Sequence, residues 1–275
     1  MKIGVIGTGN MGSILLEAFL EADLVEEKDI WVTNRTPKKA LALQNKYPDI
    51  HVTYTAEELA QTADLLFICV KPLDSNSVLT GIKPYLTQKK CIVSITSPIS
   101  VKQLESQISC SCARFIPSIT NRALSGVSLL SFGESCSTEW EQTITELAQG
   151  ISTPVLIENE VTRAASDIVS CGPAFISFLA QAFIDGAVQT TPIDKKTATL
   201  LTEKMLIGMG DLLQKGIYTL PALQEKVCVK GGITGEGIKV LEAQTGDMFN
   251  QLFEATQEKF AEDLEEIEKQ FDLKY

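Results

Sequence analysis

Residues 2–12 read KIGVIGTGNMG, and residues 13–24 continue SILLEAFLEADL. A short apolar run at 3–6 leads directly into Gly7-Thr8-Gly9-Asn10-Met11-Gly12, after which apolar residues recur at helical spacing. Strand, glycine turn and amphipathic helix in that order form the first half of a dinucleotide-binding βαβ unit. Gly7 permits the tight turn, Gly9 lets backbone approach a pyrophosphate, and Gly12 lets helix and strand pack closely. The helix start adds free N–H groups and partial positive charge for phosphates. A structural glycine turn is the competing reading of the same six residues.

Working outward, the strand–helix alternation persists. Residues 29–33 (DIWVT) read as a second strand, and Pro37 can open the helix after it. A short strand follows at 52–54, then a helix from Thr55 with Glu58 three residues on, the spacing of a capping box. Residues 64–70 (DLLFICV) and 91–95 (CIVSI) are continuous apolar runs, as parallel strands buried on both faces require. Further strands are expected at 113–116, 126–132 and 154–157. Beyond residue 160 strand signals stop. Residues 161–189 form one helical pattern interrupted at Gly172-Pro173. Asp194 can cap a helix ending near Gly216, and residues 238–275 carry apolar residues at helical spacing. The expected architecture is α/β: a doubly wound Rossmann domain over 1–159, then an all-helical domain over 160–275. The broad apolar faces of the helical part suit burial against a second copy of the chain.

The 275-residue chain carries 24 Lys and Arg against 35 Asp and Glu, a formal net charge of −11. That balance disfavours nucleic acid and anionic membrane as partners. No apolar stretch approaches the roughly 18 residues of a membrane span. The start of the chain reads as a strand and not as a signal peptide. Seven cysteines in apolar or small-residue contexts fit reduced thiols and a cytoplasmic protein. Cys110-Ser111-Cys112 is too tight and isolated for a zinc site, so no metal is expected. The single histidine, His51, has no Ser-His-Asp arrangement around it and reads as an exposed turn residue.

Three segments carry candidate chemistry beyond the glycine turn. NAD sites place Asp or Glu at the end of the second strand for the ribose 2′-hydroxyl. Here the position holds Asn34, followed by Arg35 and Thr36, which suit a 2′-phosphate and favour NADP(H), with NAD(H) as the alternative. A surface arginine on a polar loop is the plainer reading of Arg35. Val70-Lys71-Pro72 and Thr96-Ser97-Pro98 follow buried strands and are expected to face the cofactor, with Lys71 on ribose or phosphate, or else in solvent. In the helical half, Gly231-Gly232-Ile233-Thr234 precedes a helix. It reads equally as a carboxylate nest with a hydroxyl beside it, or as a helix–helix turn capped by Thr234.

Taken together, GVIGTGNMG, TNRT, FICVKP, SCGPAF (170–175) and the stretch 220–242 resemble the pyrroline-5-carboxylate reductase family over nearly the whole chain. The resemblance implies a Rossmann domain plus a helical domain that interlocks into homodimers, sometimes joined into larger rings. It also implies reduction of a cyclic imino acid, pyrroline-5-carboxylate, to L-proline with NAD(P)H. Carried over by position, Gly7 to Gly12 would hold the pyrophosphate, and Asn34, Arg35 and Thr36 the 2′-phosphate. Val70, Lys71 and Pro72 would line the nicotinamide side. Gly231, Gly232 and Ile233 would bind the substrate carboxylate, and the Thr234 hydroxyl would meet the imine nitrogen as the catalytic group. The chain departs from the family pattern at Val229 and Ile233 (Ser-Pro-Gly-Gly-Thr-Thr in members), at Thr96-Ser97-Pro98 (Ala-Ala-Gly), at Ile116-Pro117-Ser118 (Met-Pro-Asn or Met-Thr-Asn) and at Ala56 (Asn). This pattern looks like the divergent late-competence ComER-type branch. It leaves a second reading, a competence-associated regulatory protein that keeps NADP binding with little reductase activity. A β-hydroxyacid dehydrogenase would carry a catalytic lysine on the long helix, and residues 161–189 contain none.

Overall fold

In the computed structural model, which describes residues 1–275, eight strands form one sheet in the order β3-β2-β1-β4-β5-β6-β7-β8. They are β1 (Ile3–Ile6), β2 (Ile30–Thr33), β3 (His51–Val52), β4 (Leu65–Ile68), β5 (Cys91–Ser94), β6 (Ser111–Ile116), β7 (Val127–Phe132) and β8 (Thr153–Leu156). The first six are parallel in doubly wound order, with the reversal of direction between β1 and β4. β7 runs antiparallel to β6, and β8 pairs parallel with β7. The helices that alternate with them are α1 (Asn10–Glu21), α2 (Pro37–Lys46), α3 (Ala56–Thr62), α4 (Pro72–Ile82), α5 (Val101–Gln107) and α6 (Thr138–Ile151). The remainder is helical: α7 (Thr162–Ser166), α8 (Gly172–Thr190), α9 (Lys195–Gln214), α10 (Leu220–Val227), α11 (Ile233–Thr245) and α12 (Met248–Phe271). The α/β class with an all-helical second part is therefore the observed architecture.

The continuous apolar strands are explained by burial on both faces. Leu65 and Phe67 enter one core with Phe19 and Phe115, while Leu66 and Ile68 enter the other with Ile92 and Cys112. In the first core Phe19, Phe67 and Phe115 form a triangle of rings with centroids 5.6 to 6.4 Å apart, one pair tilted and two edge-on. The second core also receives Ile267 and Phe271 from the end of α12. Buried Asp167 binds that helix again, accepting from Thr256 Oγ1 at 2.7 Å and pairing with Arg163 at 2.7 Å.

Packing groups Met1–Pro173 with Ala255–Tyr275, and Ala174–Glu254 forms a compact unit by itself. Strand structure ends at Leu156, but the compact units divide at 173/174 and again at 254/255, not at the single boundary 159/160 drawn from sequence. The return of α12 to the first unit is visible only in three dimensions. His51 lies on the edge strand, stacked on Trp31 at 4.4 Å, with its Nε2 3.0 Å from the Lys28 carbonyl oxygen.

The interruption expected at Gly172-Pro173 is a π-helical turn, Asp167–Cys171, between α7 and α8. Pro173 lacks the N–H that would bond four residues back to Val169. The Val169 carbonyl instead accepts from Ser118 Oγ at 2.8 Å, and Ser170 Oγ donates to the Pro117 carbonyl at 2.9 Å. The helical run Asn159–Thr190 is long and apolar enough, by length and composition, to cross a membrane. This corrects the sequence-based statement that no stretch approaches that size. Ser170, Gly172, Ser177 and Gln181 break up the apolar run without adding charge, so a search for unbroken apolar residues passes over it.

Candidate active site

At the carboxyl end of β1 the turn closes as its glycines require. Gly7 has φ +104°, and a Cβ there would stand 2.5 Å from the Cys69 carbonyl oxygen. A Cβ on Gly12 would stand 2.1 Å from the Gly7 carbonyl oxygen, so the first turn of α1 can sit on the strand only without a side chain. Over Gly9 nothing lies within 4 Å: the space a Cβ would fill is open. Gly9 is the N-cap of α1 and makes no side-chain cap, so Asn10, Met11 and Gly12 are the first helical residues, whose N–H groups lack partners within the helix. This is a backbone cradle for a pyrophosphate.

Around it, one cavity of about 410 Å³ is lined by Gly7, Gly9, Asn34, Arg35, Val70 and Lys71, together with Lys39, Tyr54, Ala56, Cys69 and Asp74. The structure thus brings together residues from three separate loops that the sequence named. Thr8 and Asn34 hold the loops to each other: Asn34 Nδ2 donates to Thr8 Oγ1 at 2.9 Å, and Asn34 Oδ1 accepts from the Thr36 N–H at 3.0 Å. The Asn34 amide is thereby spent on shaping the loop. Arg35 is 83% exposed in its side chain and reaches Asp74 Oδ2 at 3.5 Å. Asp74 and Lys39 were not singled out from sequence. Asp74 lies in the first turn of α4, behind Pro72 at its start, and nothing local to VKPLD marks it as facing the β2 loop. Desolvation pushes the half-buried Cys69 thiol well above the usual cysteine range. The expected box at Thr55 is half formed. Thr55 accepts from the Glu58 N–H at 3.1 Å, but the Glu58 carboxylate takes the Tyr54 N–H at 3.1 Å.

The second unit presents the other candidate segment. Gly232 is the N-cap of α11, which begins at Ile233. Thr234 is therefore inside the first turn, and its reading as a cap residue is corrected. Gly231 takes φ +75° with no protein atom within 4 Å of a Cβ built there. The Gly232 N–H closes a turn onto the Val229 carbonyl at 2.9 Å. It is thus already engaged, which removes it as a ready carboxylate donor and leaves Gly231 and the start of α11. Thr234 lines an apolar cavity of about 770 Å³ with Met205, Leu212, Leu220, Val227 and Ile238. Ile233 is 93% exposed, and Phe178, Phe183, Leu220, Val229 and Val240 are exposed as well.

Of the departures from the family pattern, Ser118 is explained. It is buried, donates to Val169 and accepts from Thr120 N–H at 3.3 Å, so its hydroxyl serves the fold. Ser97 is likewise tied through its carbonyl, which accepts from Arg114 Nη1 at 3.1 Å and from the Tyr275 hydroxyl at 3.0 Å.

Comparison with known proteins agrees with this geometry. Residues 2–98 match the family model described as NADP oxidoreductase coenzyme F420-dependent, and residues 159–263 match that described as pyrroline-5-carboxylate reductase dimerisation. The chain is 54% identical to ComE operon protein 4 of Bacillus subtilis over 98% of this chain and 99% of that protein. It is 30% identical to pyrroline-5-carboxylate reductase 3 of the same organism, over 98% and 99% respectively. Among solved structures, the pyrroline carboxylate reductase of Plasmodium falciparum with NADP bound superposes with TM-score 0.82 at 21% identity, covering 97% of this chain and 98% of that one. The Coxiella burnetii pyrroline-5-carboxylate reductase gives 0.83 at 22%, with the same coverage. A glycine cradle suited to a nicotinamide dinucleotide, a dimerisation-type helical region and full-length similarity place the chain in the pyrroline-5-carboxylate reductase family, as a member resembling ComE operon protein 4.

Proposed function

We propose that the protein is an NADPH-preferring reductase of a cyclic imino acid, pyrroline-5-carboxylate or a close analogue, acting as a homodimer. The observation that carries the reading is the single cavity joining the open Gly9 cradle to Arg35, at the strand end where NAD sites place a carboxylate. A guanidinium there favours a 2′-phosphate over a bare ribose hydroxyl. NADH is the weaker cofactor in this reading.

In this mechanism Asn10, Met11 and Gly12 present their N–H groups to the pyrophosphate, Arg35 and Thr36 take the 2′-phosphate, and Val70, Lys71 and Pro72 line the nicotinamide side. The nicotinamide, when bound, supplies a hydride. The Gly231 and Ile233 N–H groups bind the substrate carboxylate, and the Thr234 hydroxyl accepts a hydrogen bond from the protonated imine nitrogen. An imine that arrives protonated needs orientation and charge stabilisation rather than a base. The lack of a histidine near the cavity fits that demand. The dimer is supported by the apolar side chains exposed on α8, α10 and α11 and by the match to a dimerisation model.

Steady-state oxidation of NADPH with L-pyrroline-5-carboxylate, with NADH in parallel, tests the proposal. Turnover within roughly 1–10³ per second supports it. NADPH binding without turnover turns the assignment to the second reading, a regulatory protein on a retained cofactor site. That reading is favoured by Ile233, whose exposed apolar side chain stands where relatives carry a hydroxyl. Under it, Val229→Ser with Ile233→Thr raises turnover.

A further inference from the structure

Arg114 is a buried guanidinium in the middle of β6 with four neutral partners and no carboxylate. Nη1 donates to the Ser97 carbonyl at 3.1 Å and to the Tyr275 hydroxyl at 2.8 Å. Nη2 donates to Ser131 Oγ at 3.3 Å and Thr162 Oγ1 at 2.7 Å. The Tyr275 hydroxyl in turn donates a hydrogen bond to the Ser97 carbonyl at 3.0 Å. Two charge-linked donors thus converge on one carbonyl oxygen, and chained bonds of this kind strengthen each other in a buried setting. The segment that delivers Tyr275 is itself anchored. Its N–H donates to Glu268 at 3.0 Å, its ring meets Phe260 edge-on at 5.6 Å, and Gln103 Nε2 holds the Leu273 carbonyl at 3.0 Å.

The Ser97 carbonyl belongs to the loop leaving β5. That loop begins beside the end of β4, where the Ile95 N–H reaches the Ile68 carbonyl at 3.4 Å. In a doubly wound sheet β1 to β3 hold one nucleotide half and β4 to β6 the other. Arg35 marks the first half as the adenosine side, so the β5 loop serves the nicotinamide side. We infer that Tyr275 is a positioning residue for the nicotinamide half of the cofactor, acting through the Ser97 backbone without touching the ligand. The inference rests on the dinucleotide reading above.

The test compares two probes on the purified full chain: NADPH, and adenosine 2′,5′-bisphosphate, which lacks the nicotinamide half. Tyr275→Phe keeps the ring and removes the hydroxyl, and Tyr275→Ala removes both. Tyr275→Phe weakens NADPH about fivefold, the size of one net hydrogen bond, and leaves the bisphosphate within about twofold. Tyr275→Ala widens the same split. Equal weakening of both probes, tracked by a lowered melting temperature, makes Tyr275 a general stabiliser and overturns the inference. Unchanged NADPH affinity overturns it too. Wild-type protein that binds neither probe overturns the dinucleotide reading itself, an outcome distinct from either.

Discussion

The molecule contains two glycine turns at helix N-termini, and they are built in opposite ways. The first, before α1, is closed by its own fold: a Cβ on Gly7 or Gly12 would stand 2.5 or 2.1 Å from backbone oxygen, and only the space over Gly9 is open. The second, before α11, is folded only on itself: the Gly232 N–H bonds the Val229 carbonyl, and a Cβ on Gly232 would meet Val229 at 2.9 Å. A Cβ on Gly231 would meet no atom within 4 Å, and the first helical residue, Ile233, stands 93% exposed. The same backbone chemistry therefore has two origins of shape. One turn is moulded against neighbouring elements of the fold, and the other is closed by bonds among its own few residues.

The largest test of that difference is a pair of substitutions. Gly12→Val must displace the Gly7 carbonyl, so urea denaturation is expected to show a loss of about 3 kcal/mol and no dinucleotide binding. Gly231→Ala carries only left-handed backbone strain, roughly 1–2 kcal/mol, with cofactor affinity unchanged. Comparable losses at both sites would erase the contrast. Next in size, Arg35→Ala removes a charge-assisted partner of the 2′-phosphate. NADPH affinity is expected to fall at least about tenfold while NADH stays within about twofold. Equal loss for both cofactors rejects the phosphate assignment. Thr234→Ala probes the open turn and is expected to lower kcat about tenfold without moving the NADPH Kd; an unchanged rate removes Thr234 from the mechanism. The smallest effect concerns Asp74, whose carboxylate pairs with Arg35 and would compete with the proposed phosphate. Asp74→Asn is expected to tighten NADPH about threefold at low salt, as befits an exposed ion pair, and the gain should shrink as salt is added.

The moulded turn was legible in the sequence because its determinants are local. A strand, three glycines and a helix lie within two dozen residues, and the apolar runs at β4 and β5 announce a sheet covered on both faces. The place of Arg35 on the cavity was legible for a similar reason: it lies just past the end of β2. Its partner Asp74 was not, since 39 residues separate them and neither has a local signature for the other. The same holds for Ser118, which bonds Val169 across 51 residues, and for Arg114, which reaches Tyr275 across 161. Ser118 is a departure from the family pattern whose role the sequence alone does not reveal. In the fold its hydroxyl takes up a carbonyl that Pro173 leaves without a helical donor. Thr234 was read either as a nest hydroxyl or as a cap. Only the observed start of α11 separates the two, because a Gly-Gly step offers either glycine as the boundary.

The return of α12 to the first unit has a consequence for how the chain comes to be folded. Ile267 and Phe271 complete one of the two cores flanking β4 and β5, whose other members include Leu79 and Ile82 of α4 and Val101 and Leu104 of α5, so an apolar patch beside those helices stays uncovered until α12 has left the ribosome. For the time needed to make more than a hundred intervening residues, that patch is open to wrong partners. Production of residues 1–173 alone would make that transient state permanent. Such a fragment should aggregate unless the helix of residues 255–271 is supplied in trans.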